Sequence, residues 1–271
     1  MDAGEWRGIA ASVIGSSHIK TETPCQDSHA FCLIEAAEPI LVLVASDGAG
    51  SASRSDAGSS LACRSLVACI QNYLHQGGSV ENMTRDLACE WLDATVQSMQ
   101  DLADSENLPL REFACTLLAA VVGPHAAAYL QIGDGAMVVL SDPEEWSYIF
   151  WPDHGEYINT TAFLTDASSR ESFKFEAAKS TITDVAVFTD GIEPLVLRYA
   201  TREVHSQFFN GIFKPVRSLS RPGLDPSLSG QLAAYLASAA ICDRTDDDKT
   251  LLLASRGRPY LGNTAAVPEG E

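Results

Sequence analysis

The chain is poor in positive charge: 18 lysines and arginines stand against 36 acidic residues, a net charge of -18. That balance disfavours a nucleic acid backbone or an anionic membrane surface as partner. The cysteines at 25, 32, 63, 69, 89, 115 and 242 form no C-x-x-C pair and are odd in number, so neither a zinc site nor a disulfide framework is signalled. Long apolar runs are missing too. The longest aliphatic stretch, Ile40 to Ala45, is far short of a membrane span, and Asp2 and Glu5 precede any apolar segment, so a soluble cytoplasmic protein is expected. No persuasive Ser/His/Asp or Cys/Arg arrangement offers a protein nucleophile.

What is present is ordinary globular composition, 46% hydrophobic and 8% aromatic, in a chain long enough for a sizeable core. Ile40 to Ala45 suits a strand buried on both faces, and Trp6 to Ile14 and Ala30 to Ile34 also read as strands. From Ser55 the period changes: Ala62, Leu66, Cys69 and Tyr73 recur at helical spacing until Gly77-Gly78. Ser79 is the expected N-cap of a second helix through Leu87, Trp91, Ala94 and Met99, ending before Asn107 and Pro109. Cys115 to Val122, Ala126 to Ile132 and Met137 to Leu140 read as successive antiparallel strands. Residues 143 to 178 carry no long periodic run and are expected to be an ordered, irregular excursion. Val185 to Thr189 is a further strand. Asp225-Pro226 opens a helix through Leu232, Leu236 and Ala240, and Thr250 to Ala254 is the last strand. One domain over residues 1–255 is expected, followed by a frayed tail from Arg256.

Aspartates recur in one context. Asp47, Asp134 and Asp190 each follow a strand and precede glycine, and Asp247 stands just before the last strand. A strand ending in Asp-Gly delivers a carboxylate to the rim of a sheet while glycine lets the backbone turn. A single Asp-Gly is ordinarily a turn; several at strand ends point to a cluster whose repulsion a hard divalent cation would relieve. The Asp246-x-Asp248-x-Thr250 run also matches the signature of haloacid-dehalogenase-type phosphatases, but that motif belongs after an early strand. Here Asp246 and Asp248 read as a solvated turn, leaving Asp247 as the ligand.

The order Cys25-Gln26-Asp27, Ser46-Asp47-Gly48-Ala49-Gly50, Ala114-Cys115-Thr116, Gly133-Asp134-Gly135, Phe188-Thr189-Asp190-Gly191 and Asp247-Asp248-Lys249-Thr250 resembles the metal-dependent type 2C protein phosphatases. Gly155-Glu156-Tyr157 to Asn159, with Thr161 to Thr165, resembles the bacterial branch. The resemblance implies an α+β fold: two antiparallel sheets packed as a sandwich, with helix pairs on both outer faces. It implies two core Mn2+ or Mg2+ ions with room for a third, and hydrolysis of phosphoserine or phosphothreonine by a metal-bridged hydroxide. By the same analogy Asp47 bridges both ions, Asp190 and Asp247 complete the first site, and the Gly48 carbonyl binds the second. Asp134 with Asp190 matches a looser third position, Asp27 supports from behind, and the excursion after Leu140 falls where the family carries its flap. The partners implied are a phosphoprotein and a cognate serine/threonine kinase.

Two departures stand out. Many members carry a histidine after the Asp-Gly where this chain has Ala49, and often an arginine upstream of Asp27, where only His18 and Lys20 are basic. Either is a candidate for binding phosphate. A pseudophosphatase keeping the fold to bind a partner, or a phosphatase of small metabolites, are the competing functions.

Overall fold

The structure, a computed structural model, describes residues 4–36, 39–141, 145–152 and 161–256. In chain order the elements are β1 (Arg7–Val13), α1 (Ser16–Thr21), β2 (Ser28–Ile34), β3 (Ile40–Ser46), α2 (Ser55–His75), α3 (Arg85–Glu106), β4 (Leu117–Val122), β5 (Ala127–Ile132), β6 (Ala136–Ser141) and β7 (Glu145–Tyr148). There follow α4 (Ser169–Ser172), β8 (Lys174–Ala178), β9 (Ile182–Phe188), α5 (Glu193–Val196), β10 (Leu197–Arg198), β11 (Glu203–Val204), α6 (Ser206–Arg217), β12 (Gly223–Leu224), α7 (Pro226–Leu236), α8 (Ala239–Cys242) and β13 (Lys249–Ser255).

One sheet has the order β12-β1-β13-β9-β6-β7 and the other β2-β3-β4-β5-β8, with β10 and β11 as a small separate ribbon. Every pairing is antiparallel except the short β1·β12 contact. The residues of β3 show why its run is continuously aliphatic. Leu41, Leu43 and Ala45 face the other sheet, where they meet Met137, Val187 and Leu252. Val42 and Val44 turn the opposite way, onto Leu66 and Ile70 of α2 and Met99 of α3. A strand in an inner layer has no solvent face, so alternation vanishes and both sets are apolar. The outer face of the first sheet is likewise covered by Phe209 and Phe213 of α6 and Leu232 and Leu236 of α7. The result is the expected four-layer α+β sandwich with three apolar cores. Each fully buried Leu, Val or Phe contributes about 1.5–3 kcal/mol, so the stack of cores offsets the crowding of like charges at one rim.

Several local expectations change. Ser79 precedes only a short 3-10 turn; the cap of α3 is Thr84, whose side-chain oxygen accepts from the Leu87 N–H at 3.2 Å. The helix opened by Asp225 and Pro226 ends at Leu236, and α8 starts separately after Ser238, so Ala240 belongs to a second short helix. The excursion after Leu140 is less irregular than expected, because β7 extends the first sheet and β8 the second. Its portion at 143, 144 and 153–160, including the Gly155 to Asn159 stretch, lies outside the described residues. The expected fraying does not begin at Arg256. That residue is buried, its guanidinium stands 4.9 Å from the Trp6 ring centroid, and Nε and Nη2 donate to the carbonyls of Ile182 and Pro124. Residues 257–271 lie outside the described residues.

Candidate active site

All four aspartates line one cavity of about 300 Å³. Each arrives from a different strand end. Asp47 follows β3, and its backbone zips onto the segment before β4: the Thr116 N–H donates to Asp47 O at 2.8 Å, the Asp47 N–H to Thr116 Oγ1 at 2.9 Å, and the Ala49 N–H to Ala114 O at 2.9 Å. At Gly48 the chain passes so close to Gln26 that a Cβ would sit 2.7 Å from the Gln26 carbonyl oxygen. Asp134 occupies the β5–β6 turn, where Gly133 adopts φ +104° and Gln131 Nε2 donates to the carbonyls of Gly133 and Gly135. Asp190 follows β9 and Asp247 precedes β13.

Ligand oxygens of Asp47, Asp134 and Asp190 all lie within 4.8 Å of one another. Asp134, expected at the looser position, falls within the same 4.8 Å limit as Asp47 and Asp190. Asp247 faces the same cavity but outside that spacing. Asp27 is buried behind them, with Thr189 Oγ1 donating to its Oδ2 at 2.8 Å; Thr189 Oγ1 in turn accepts from the Thr250 N–H. Thr161 Oγ1 donates to Asp134 Oδ2. Of the two basic candidates, His18 lines the cavity, whereas Lys20 is exposed at the end of α1 and is not among the lining residues.

Burial and mutual repulsion push these carboxyls toward the protonated form. Desolvation is the larger cause in each case. Asp27 and Asp190 rise from 3.8 to about 7, with repulsion from Asp248 and Asp190 adding at the first, and from Asp134 and Asp247 at the second. Asp47 is pushed well up by burial and then by Asp27, Asp190, Asp247 and Asp134, and Asp247 is raised as well. Among the described residues no arginine or lysine side chain forms an ion pair with any of the cavity's four aspartates. Buried Oδ1 atoms of Asp27 and Asp190 have no hydrogen-bond partner there either. Charge of one sign, hard oxygen donors and orphaned lone pairs make a site that fits a divalent cation. A second groove of about 340 Å³, between α3 and Leu164 to Arg170, holds no such cluster.

The residue that the sequence most misrepresented is Asp248. It is 2% exposed rather than solvated, and it accepts from the Gly15 and Gln26 N–H groups at 2.6 Å each. His18 Nδ1 also stands 2.9 Å from Asp248 Oδ1, an ion-pair separation whose N–H direction is off the line of a hydrogen bond. Lys249, fully buried, donates from Nζ to the Asp247 carbonyl at 2.9 Å. Only the contact partners, far away in sequence, distinguish this acidic triplet from a surface turn.

The profile of the family described as Protein phosphatase 2C matches residues 14–237. The chain belongs to the protein phosphatase 2C family and is a phosphatase. It is 34% identical over 259 residues to serine/threonine-protein phosphatase 3 of Escherichia coli strain K12, covering 92% of this chain and 98% of that one. Solved structures with the same fold include the catalytic domain of the serine threonine protein phosphatase PstP in complex with two manganese ions, with a TM-score of 0.56 and 15% identity over 93% of this chain and 98% of that one. Another is the serine/threonine phosphatase Stp1 from Staphylococcus aureus, with a TM-score of 0.57 and 15% identity over 94% and 97%.

Proposed function

We propose that this phosphatase hydrolyses phosphoserine and phosphothreonine in proteins and depends on Mg2+ or Mn2+ to do so. The observation that carries the reading is the convergence of Asp47, Asp134 and Asp190 within 4.8 Å, with no arginine or lysine ion pair to neutralise them among the described residues. Asp47, Asp190 and Asp247, with the carbonyl of Gly48, would hold two core ions, and Asp134 a third together with Asp190. Divalent ions there would supply activated water and neutralise phosphoryl charge. The chain's own residues fix the geometry. Thr189 holds the Asp27 carboxylate in place, Thr161 orients Asp134, and the Thr116 contacts lock Asp47 at the strand end. His18 is the basic group on the wall that meets the phosphoryl group. The serine/threonine kinase whose phosphorylation is reversed is the first partner to test.

The experiment is release of phosphate from phosphoserine and phosphothreonine peptides with added manganese. Turnover should stop with a chelator and in Asp47→Asn and Asp190→Asn. A manganese-loaded wild type that turns over no phosphopeptide, or that prefers sugar phosphates, would overturn the proposal.

A further inference from the structure

The leaving group of a phosphoserine is an alkoxide, which departs poorly unless it receives a proton. The wall beside Asp47 carries Ala49, which has none to give. Among the described residues lining the cavity, His18 is the one titratable group that is not a carboxylate. It is not a loose surface histidine. Its side chain is 17% exposed, and its Nδ1 edge is turned to Asp248, whose own side chain is 1% exposed. Asp248 is itself fixed by the Gly15 and Gln26 N–H groups, so the carboxylate that faces the imidazole is held by two separate loops. With Nδ1 turned to Asp248, Nε2 on the opposite side of the ring is the nitrogen left for the cavity. A buried carboxylate 2.9 Å from one nitrogen and the cavity beside the ring make an arrangement in which the carboxylate can set ring orientation and the other nitrogen can meet a substrate.

We propose that His18 is the general acid of this phosphatase and that Asp248 is its positioning residue. In this step water forms the new bond to phosphorus, and the bond from phosphorus to the serine Oγ breaks with its electron pair on Oγ. The Nε2 proton of His18 passes to Oγ, and the proton shed by the attacking water restores the imidazolium. The products are the free hydroxyl and inorganic phosphate. The inference rests on the phosphatase reading above and assigns within it the atom that leaves with a proton.

A residue that only grips phosphate affects every phosphomonoester alike, whereas an acid matters in proportion to the need of the leaving group. The test is therefore the ratio of kcat for a phosphoserine peptide to kcat for p-nitrophenyl phosphate, whose phenolate leaves without protonation, in manganese-loaded wild type and His18→Gln. The ratio should fall about 100-fold in the variant, the lower end of what a general acid contributes. An unchanged ratio, whether both activities fall together or neither does, overturns the proposal. If His18→Gln does not fold, the wild type decides alone. Across aryl and alkyl phosphates its kcat should depend weakly on leaving-group basicity, and a steep dependence overturns the assignment. No turnover of any ester by the wild type would instead remove the phosphatase reading itself, and this inference with it.

Discussion

Asp27 and Asp190 carry the most readable electrostatics of the site. Each has a folded-state pKa near 7 against 3.8 in the open chain. Between those values the folded protein binds protons that the unfolded chain has released, so stability falls as pH rises. In a metal-free preparation the stabilising protonation is fully present below about pH 4 and is lost as pH passes about 7. Thermal unfolding in chelator should show Tm dropping from pH 5 to pH 8, with the slope abolished by saturating manganese. Replacing Asp27 by Asn keeps the shape but removes the carboxylate that Thr189 holds behind the cluster. Loss of a supporting residue behind metal ligands typically costs about 10–100-fold in activity or metal affinity, and manganese titration of the Asp27→Asn turnover would measure it. Asp47→Asn should fall further, since four neighbouring carboxyls crowd that one position.

Turns and helices obey tighter steric terms. A Cβ at Gly191 would lie 2.0 Å from the Asp248 carbonyl oxygen, a backbone atom that cannot swing aside. Gly191→Ala should therefore displace the turn that carries Asp247 and Asp248, lowering both Tm and phosphatase activity. Gly211, inside α6, has open space around it, so Gly211→Ala should raise stability by about 0.5–1 kcal/mol. Urea titrations of the two variants should move in opposite directions. The same elements mark the boundary of what sequence patterns disclose. β3 and α2 were legible because an inner strand is continuously aliphatic and a covering helix is periodic. The six-residue α1, with no buried residue, leaves no apolar trace. In α6 the spacing of Phe209, Phe213 and Val216 is helical, but Gly211 and Pro215 interrupt it. Asp47, Asp134 and Asp190 were visible from their glycines and preceding strands. The burial of Asp248 was not, because it depends on N–H groups 233 and 222 positions away.

At the scale of the molecule, folding and ion binding are linked. Ions that bind only the folded state stabilise it by about 2.7 kcal/mol at a hundredfold excess over Kd. Manganese should raise the Tm of the wild type and leave that of Asp47→Asn nearly unmoved, which calorimetry would read directly. The architecture of the sandwich came from the resemblance to the type 2C phosphatases, and the order of strands and helices read from the sequence agreed with it; the three apolar cores fit that layering. The edges were not legible. β8 and β12 pair at the margins with sequences that carry little apolar pattern, and Arg256 is fixed through Trp6 and two distant carbonyls.

The aspartates leave from both sheets: Asp47 from β3 in one, Asp190 and Asp247 from β9 and β13 in the other, and Asp134 from the turn where the chain crosses between them. Any sliding of one sheet over the other changes the spacing of these donors before it disrupts either sheet. Catalytic competence is thus a gauge of the alignment of the two layers, and a core substitution far from the cavity, such as Leu43→Ala, should weaken manganese affinity while each sheet keeps its hydrogen bonds.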